Sequence, residues 1–316
     1  SFGELIEDTT TNSGLCNQVS SHFLIGDGKG INERVEHSIN IGDGCPIKVA
    51  ARRLPFALRN TITSMVKEML DGGIVTKLTS PWASPVVIVR KKDGGLHFCL
   101  DYQCKNAVTH NNVFPLPWID DLLDQLQGKC VFSTFDAICG YWQIPVRPDS
   151  KEKTAFVTHE GLFQFEVMPF GLCNAPATFQ RLMQKILIGL SNYCIVYIGD
   201  ILIFSRNFDE HRLHLKEVFG RLEKYGLKLH YQKCKLALPK IECLGHAVSA
   251  EGVQPNSGKI DAIKLFPTPT CVKLLKGFIG LCSYYHKFVP GFARIASLLH
   301  QLLKKNVPFQ MTGLVS

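Results

Sequence analysis

Tyr193-Cys-Ile-Val-Tyr-Ile-Gly-Asp-Ile-Leu-Ile-Phe-Ser205 is two apolar runs separated only by Gly199-Asp200. A Gly-Asp pair between two strand-length runs predicts a β-hairpin, with strands over 193–198 and 201–205. A further apolar run, Cys130–Asp136, ends in a second carboxylate. A carboxylate beside a buried sheet is costly unless it is paired or metal-bound. Taken singly, Asp136 and Asp200 each read first as an ordinary turn or capping Asp. One chemistry would use both. Phosphoryl transfer to a growing strand uses two divalent ions about 3.5–4 Å apart. Magnesium is usually held by one or two carboxylates and the substrate's phosphates. The carboxylates must come from neighbouring strand ends that face one cleft.

Working outward, Ile62, Met65, Val66, Met69 and Leu70 fall at helical spacing, and Gly72-Gly73 stops that helix. Pro85–Arg90 reads as a buried strand, Lys91–Gly95 as a turn and Leu96–Tyr102 as the returning strand. Pro115 and Pro117 precede a short amphipathic helix, Ile119–Leu126. Asn174 is the expected N-cap of a helix with Pro176 in its first turn and Phe179, Leu182, Met183, Ile186 and Leu190 on its buried side. Another helix is expected over 209–225, ending at Gly226. After Gly252 the tail reads as helical, with Leu274, Phe278, Leu281 and Tyr285 on one side. No internal repeat or low-complexity tract is present. Residues 1–50 are acidic and weakly periodic, and read as a linker or the tail of an upstream domain.

Composition narrows the function classes. Hydrophobic residues make up 46% of the 316 and charged residues 20%, enough for a packed core and against wholesale disorder. No apolar run reaches the roughly 20 residues of a membrane-spanning helix, so no membrane partner is expected. The twelve cysteines include no Cys-x-x-Cys pair, which argues for reduced, mostly buried thiols rather than a disulfide scaffold or a zinc ribbon. Net charge is +8, distributed as −4 over 1–50, +5 over 51–110, +1 over 111–250 and +6 over 251–316. Two basic segments flanking a near-neutral apolar middle suit a polyanion held between two arms, although ordinary solvated lysines would give the same sum.

Longer words surround the two carboxylates. Phe132-Ser-Thr-Phe-Asp-Ala-Ile-Cys-Gly-Tyr-Trp-Gln-Ile144 resembles the first catalytic motif of retroelement reverse transcriptases, and Val196–Ser205 resembles their Tyr-x-Asp-Asp hairpin. Val167-Met-Pro-Phe-Gly-Leu-Cys-Asn-Ala-Pro-Ala-Thr-Phe179 resembles their template- and nucleotide-contacting segment. Ser80–Gly94 and Phe98–Tyr102 look like the fingers, and Leu244-Gly-His246 like the primer-grip region. The resemblance, of gypsy-type long-terminal-repeat flavour, runs from about His37 to Gln310 with the motifs in order. It implies an α+β right-hand polymerase fold. The fingers would span 51–112 and 145–172, the palm with its antiparallel sheet 113–144 and 173–243, and the thumb and start of the connection 244–316.

Position by position, the resemblance implies that Asp136 and Asp200 bind Mg²⁺ (or Mn²⁺). Lys91 would contact the triphosphate of a deoxynucleoside triphosphate. Tyr141 would be the steric gate under the incoming sugar, unless it is simply a core tyrosine. Phe170, Gly171 and Pro176 would shape the nucleotide pocket, and Leu244 and Gly245 would sit against the primer end. Lys233 matches the lysine that protonates the leaving pyrophosphate, and a surface lysine is the equal alternative. The partners would be an RNA or DNA template with its primer, with the oligomeric state open. The resemblance also implies an intracellular protein, cytoplasmic in the particle of an intact element, or nuclear. A chain opening on Ser1 is expected to be a processed or excised fragment, without the protease, ribonuclease H and integrase regions of a full polyprotein.

Three positions depart from the pattern. Gly199 stands where the family has the metal-binding Asp of the hairpin. Neighbouring strand positions point to opposite faces, so Asp200 would replace that carboxylate only if Gly199 loosens the turn. His97 and Gln103 stand where the family has arginines, and neither carries the guanidinium fork that clamps phosphates. Two expectations follow. One is an RNA-directed DNA polymerase with impaired catalysis. The other is a non-catalytic remnant, or a host-adopted protein, that binds nucleic acid without extending it.

Overall fold

The computed structural model describes residues 35–53, 55–90, 96–112, 114, 115, 117–137, 140–229, 233–304, 307 and 309. The turn at 91–95, and with it the expected role of Lys91, lies outside these residues. Helix α1 (Phe56–Asp71) buries Ile62, Val66 and Met69 and ends at Gly72-Gly73, where Gly73 takes φ +66°. It covers a five-stranded sheet of order β1-β6-β5-β2-β3. The strands are β1 (Val75–Lys77), β2 (Ser84–Arg90), β3 (Leu96–Leu100), β5 (Phe156–Thr158) and β6 (Gly161–Phe165). Strands β2 and β3 pair as read from the sequence, Val87 opposite Cys99. The β5–β6 hairpin was not legible, because its His159-Glu160 turn carries no Gly or Asn between the paired Thr158 and Gly161. Phe156, Phe163 and Phe165 form the centre of this core.

A second sheet has the order β7-β8-β4-β9, from β4 (Val131–Asp136), β7 (Cys194–Tyr197), β8 (Asp200–Ser205) and β9 (Lys235–Leu238). Between the sheets in sequence lie α2 (Gln103–Val108), α3 (Ile119–Asp124) and α4 (Pro148–Lys151). Helices α5 (Ala175–Ile186) and α6 (Phe208–Lys224) pack Phe179, Met183, Val218 and Leu222 on Phe135, Ile201 and Ile203. The opposite face packs Phe132, Leu202 and Phe204 against Leu122 and Leu123 of α3. Burial on both faces is why strands 4, 7 and 8 read as near-continuous apolar runs. A three-stranded sheet, β10 (Lys240–Cys243), β11 (His246–Ser249) and β12 (Gly252–Pro255), follows, then α7 (Ser257–Lys264), α8 (Val272–Ser283) and α9 (Phe292–Gln301). Among the described residues no helix is long and apolar enough to cross a membrane.

The structure corrects several local readings. Asn174 occupies the N-cap position of α5 but makes no capping bond. Its side chain instead accepts from Asn112 N (2.9 Å) and donates to His110 O (2.9 Å), tying down a distant loop. The tail opens with a strand, and α8 buries Leu275 and Ile279 while Leu274 is exposed. Phe278 and Leu281 are half-buried and Tyr285 is buried as expected, while the helix packs between α7 and α9. The described end of the expected linker is packed: His37 and Ile39 are buried, and His37 bridges to Val146.

Candidate functional site

The hairpin turn is one residue earlier than its sequence indicates. Tyr197 pairs with Asp200, so Ile198 and Gly199 are the central residues, with φ +44° and +103°. Positive φ at both positions is the two-residue turn that matches the strand twist. It is strained for a β-branched isoleucine. Gln180 of α5, buried and missed in the sequence reading, holds the strained segment. Its Nε2 donates to Val196 O (2.9 Å) and its Oε1 accepts from Ile198 N (3.0 Å). Only a polar residue at a core-facing helix position could have signalled it.

That turn makes Asp200 a strand residue directly across from Asp136. Cross-strand partners share a face of the sheet. Asp200 therefore joins Asp136 without any loosening of the turn, which corrects the expectation drawn from alternation. On the other side of β4, Thr134 pairs with Lys235. Two residues before that strand position, Lys233 donates from Nζ to Asp136 Oδ2 at 2.7 Å. The side chains of Asp200, Asp136 and Lys233 thus lie in a row at the sheet end. Burial, and then the Asp136 carboxylate, raise the Asp200 pKa above the usual carboxylate range, while Lys233 pulls it down. Burial, with Asp200 nearby, pushes the Cys243 thiol up to about 12.

The other expected residues fall into two groups beside this row. Tyr141 lies in a short 3₁₀ turn, Gly140–Gln143, with its ring 4.8 Å from Phe170 and 5.7 Å from Phe179. Burial raises its phenol pKa. Gly171, at φ +92°, lines an open cavity of about 380 Å³ with Asp101, Tyr102, Gln103 and Arg52. A Cβ there would meet Leu100 O and Tyr102 Cδ2, each at 3.4 Å. Arg52 pairs with Asp101, an interaction absent from the sequence reading. Pro176 sits half-buried in the first turn of α5. Leu244 (φ +48°) and Gly245 (φ +73°) form the turn of the β10–β11 hairpin. Tyr284 OH donates to Leu244 O (2.6 Å) and Tyr285 OH to Gly245 O (2.9 Å).

The donor set decides which metal chemistry is open. Among the described residues no group of three His, Cys, Asp or Glu side chains converges. Gly199 offers no ligand, and Asp136 is already bonded to an ammonium. Two carboxylates fit one divalent ion completed by substrate oxygens, and with no side chain at 199 a second ion has fewer protein oxygens to hold it.

Residues 89–248, just over half of the chain, match the profile of the family described as reverse transcriptase (RNA-dependent DNA polymerase). The chain belongs to the reverse transcriptase family. It is 37% identical over 309 residues to the retrovirus-related Pol polyprotein of transposon 297 from Drosophila melanogaster, covering 95% of this chain and 29% of that protein. Identity to the Pol polyprotein of transposon opus, also from Drosophila melanogaster, is 34%, over 88% and 28% of the two chains. The enzymatic polyprotein of cauliflower mosaic virus (strain Strasbourg) is 32% identical, over 84% and 40%. This reverse transcriptase sequence therefore spans well under half the length of each of these relatives. Among solved structures, a foamy viral protease-reverse transcriptase in complex with double-stranded DNA aligns at a TM-score of 0.78 and 26% identity, over 85% of this chain and 47% of that one. Another, in complex with an RNA/DNA hybrid, aligns at 0.74 and 26%, over 85% and 36%. The architecture is the right-hand polymerase fold, of α+β class.

Proposed function

We propose that this chain is the reverse transcriptase domain of a gypsy-type long-terminal-repeat retrotransposon polyprotein, one that holds a primer–template but transfers nucleotides poorly. The β7-β8-β4-β9 sheet with α5 and α6 would be the palm, the β1-β6-β5-β2-β3 sheet the fingers, and the segment from Leu244 onward the thumb. Asp136 and Asp200 would hold a Mg²⁺ (or Mn²⁺) ion, which supplies charge neutralisation to the triphosphate. Tyr141 and Phe170, whose tilted rings touch, would bound the sugar of a deoxynucleoside triphosphate. Gly171 and Pro176 would complete that wall, and Lys91 would meet the triphosphate. Leu244 and Gly245, held by two tyrosine hydroxyls, would rest against the primer end. The neighbours solved in complex with double-stranded DNA and with an RNA/DNA hybrid support a nucleic-acid partner for this chain.

Gly199 carries the proposal of weak catalysis. It stands at a turn, with φ +103° and no side chain, where the family resemblance places a metal-binding carboxylate. Losing a charge-stabilising ligand of this kind costs several kcal/mol in the transition state, about a thousandfold in rate. The pairing of Lys233 with Asp136 also favours the second reading, a remnant that binds nucleic acid without extending it.

Mg²⁺-dependent primer extension on an RNA template separates the two readings, with Asp136→Ala as the blank. The native chain should extend at or near the blank, and Gly199→Asp should extend well above it. Space is open to the new side chain, whose Cβ would sit 3.8 Å from Phe179 Cε1, and the turn must relax from φ +103° to carry it. Native extension far above the blank would overturn impaired catalysis. No extension by either chain would leave the binding remnant as the function.

A further inference from the structure

We infer that Lys233 is the resident cation of the carboxylate pair, occupying charge space that the site would otherwise offer to a divalent ion. This rests on the reading above that Asp136 and Asp200 are the carboxylates of a polymerase-type site.

Two observations carry it. The first is register. Strand β4 is flanked by β8 on one side and β9 on the other, so Asp136 has Asp200 as one neighbour and the approach of Lys233 as the other. Like charges directly opposed across a ladder repel. The ammonium at 2.7 Å from Asp136 Oδ2, acting also on Asp200, relieves that repulsion. The second is charge count. Asp136, Asp200 and Lys233 together carry −1, and an Asp at position 199 would make it −2. Affinity for a hard divalent cation follows the number of charged oxygen ligands. With Gly199 in the turn, one lysine leaves the row a single net negative charge to offer.

The contact is not a permanent lock. The Lys233 side chain is 62% exposed and that of Asp136 33%, and pairs this open contribute little to folding. The consequence therefore lies in ion competition. An ammonium and a divalent ion held ~5 Å apart repel enough, even in water, to change the ion's affinity by about tenfold or more.

Mn²⁺ alone is the probe, read by the electron paramagnetic resonance of free ion and by the thermal midpoint of the chain. The native chain should bind Mn²⁺ weakly and melt at the same temperature with and without it. Lys233→Met should bind about tenfold more tightly and be stabilised by the ion, as any ligand of the native state stabilises it. Lys233→Arg, which keeps the charge, should stay as weak as the native chain. Adding Asp136→Asn to Lys233→Met should abolish the gain, which assigns the ion to this row. Equal Mn²⁺ affinity in native and Lys233→Met chains would overturn the inference, and so would tight binding by Lys233→Arg. A gain that survives Asp136→Asn would overturn it too. None of these readouts uses extension, so the polymerase reading fails separately, in the Gly199→Asp assay.

Discussion

Lys105 shows how far burial moves a single charged residue in this chain. It is 2% exposed in α2, its Nζ has no hydrogen-bond partner, and the ammonium lies 4.3 Å from the centre of the Tyr102 ring. Burial lowers its pKa to about 7. The unfolded chain, with the amine near 10.5, binds the extra proton between those two values, so stability should rise with pH from about 7 to about 10.5. Urea midpoints at about pH 7 and pH 9 should show that rise, and Lys105→Met should remove it while raising stability at pH 7. Gly171 makes a second prediction. An Ala at φ +92°, with backbone and a tyrosine ring at 3.4 Å, should cost about 1–3 kcal/mol by urea unfolding. A cost of a few tenths would mean the segment relaxes freely.

At the scale of elements, α6 is held to the β7-β8-β4-β9 sheet by a buried polar chain as well as by apolar packing. Ser133 Oγ lies 2.7 Å from His211 Nε2, Ser205 Oγ 2.9 Å from His211 Nδ1 and 2.8 Å from His214 Nδ1. Ser133 of β4 and Ser205 of β8 are thus bridged by one imidazole from the helix. Burial, and then His214, lower the His211 pKa to about 4, and burial with Arg181 lowers that of His37 to about 4. In the unfolded chain both take up a proton near 6.5. Their contribution to stability is therefore complete above pH 6.5 and is lost as pH falls from 6.5 to about 4. The thermal midpoint should drop through that window, and His211→Gln should shallow the drop. An unchanged slope would place the acid sensitivity elsewhere.

For the whole molecule, the attachment of the C-terminal helices is the feature with the most consequence. Beyond β12 they reach back through Tyr284 and Tyr285 to the Leu244-Gly245 turn and through Lys287 to Asp120 of α3, at 2.7 Å. A neutral hydrogen bond contributes about 1 kcal/mol net. Replacing both tyrosines with Phe should therefore speed amide exchange across 257–301 while strands β7 and β8 stay protected. Equal acceleration in both regions would mean the molecule opens as one unit.

What the sequence by itself determined is local. Apolar runs marked β2, β4, β7 and β8, helical spacing marked α1, α5 and α6, and the ordered motif words carried the family. Each depends on chemistry within a few residues, where side-chain period and turn preference act directly. The absence of a side chain at 199 was legible in the same way. Tertiary structure alone decided what surrounds that absence. Asp136 and Asp200 are neighbours because β4 and β8 pair in one register, and a turn shifted by one residue placed Asp200 in that ladder. Lys233 reaches Asp136 across 97 positions of chain through β9, and Gln180 steadies the turn from a helix. Such meetings depend on the packing of whole elements, which no short window of residues encodes.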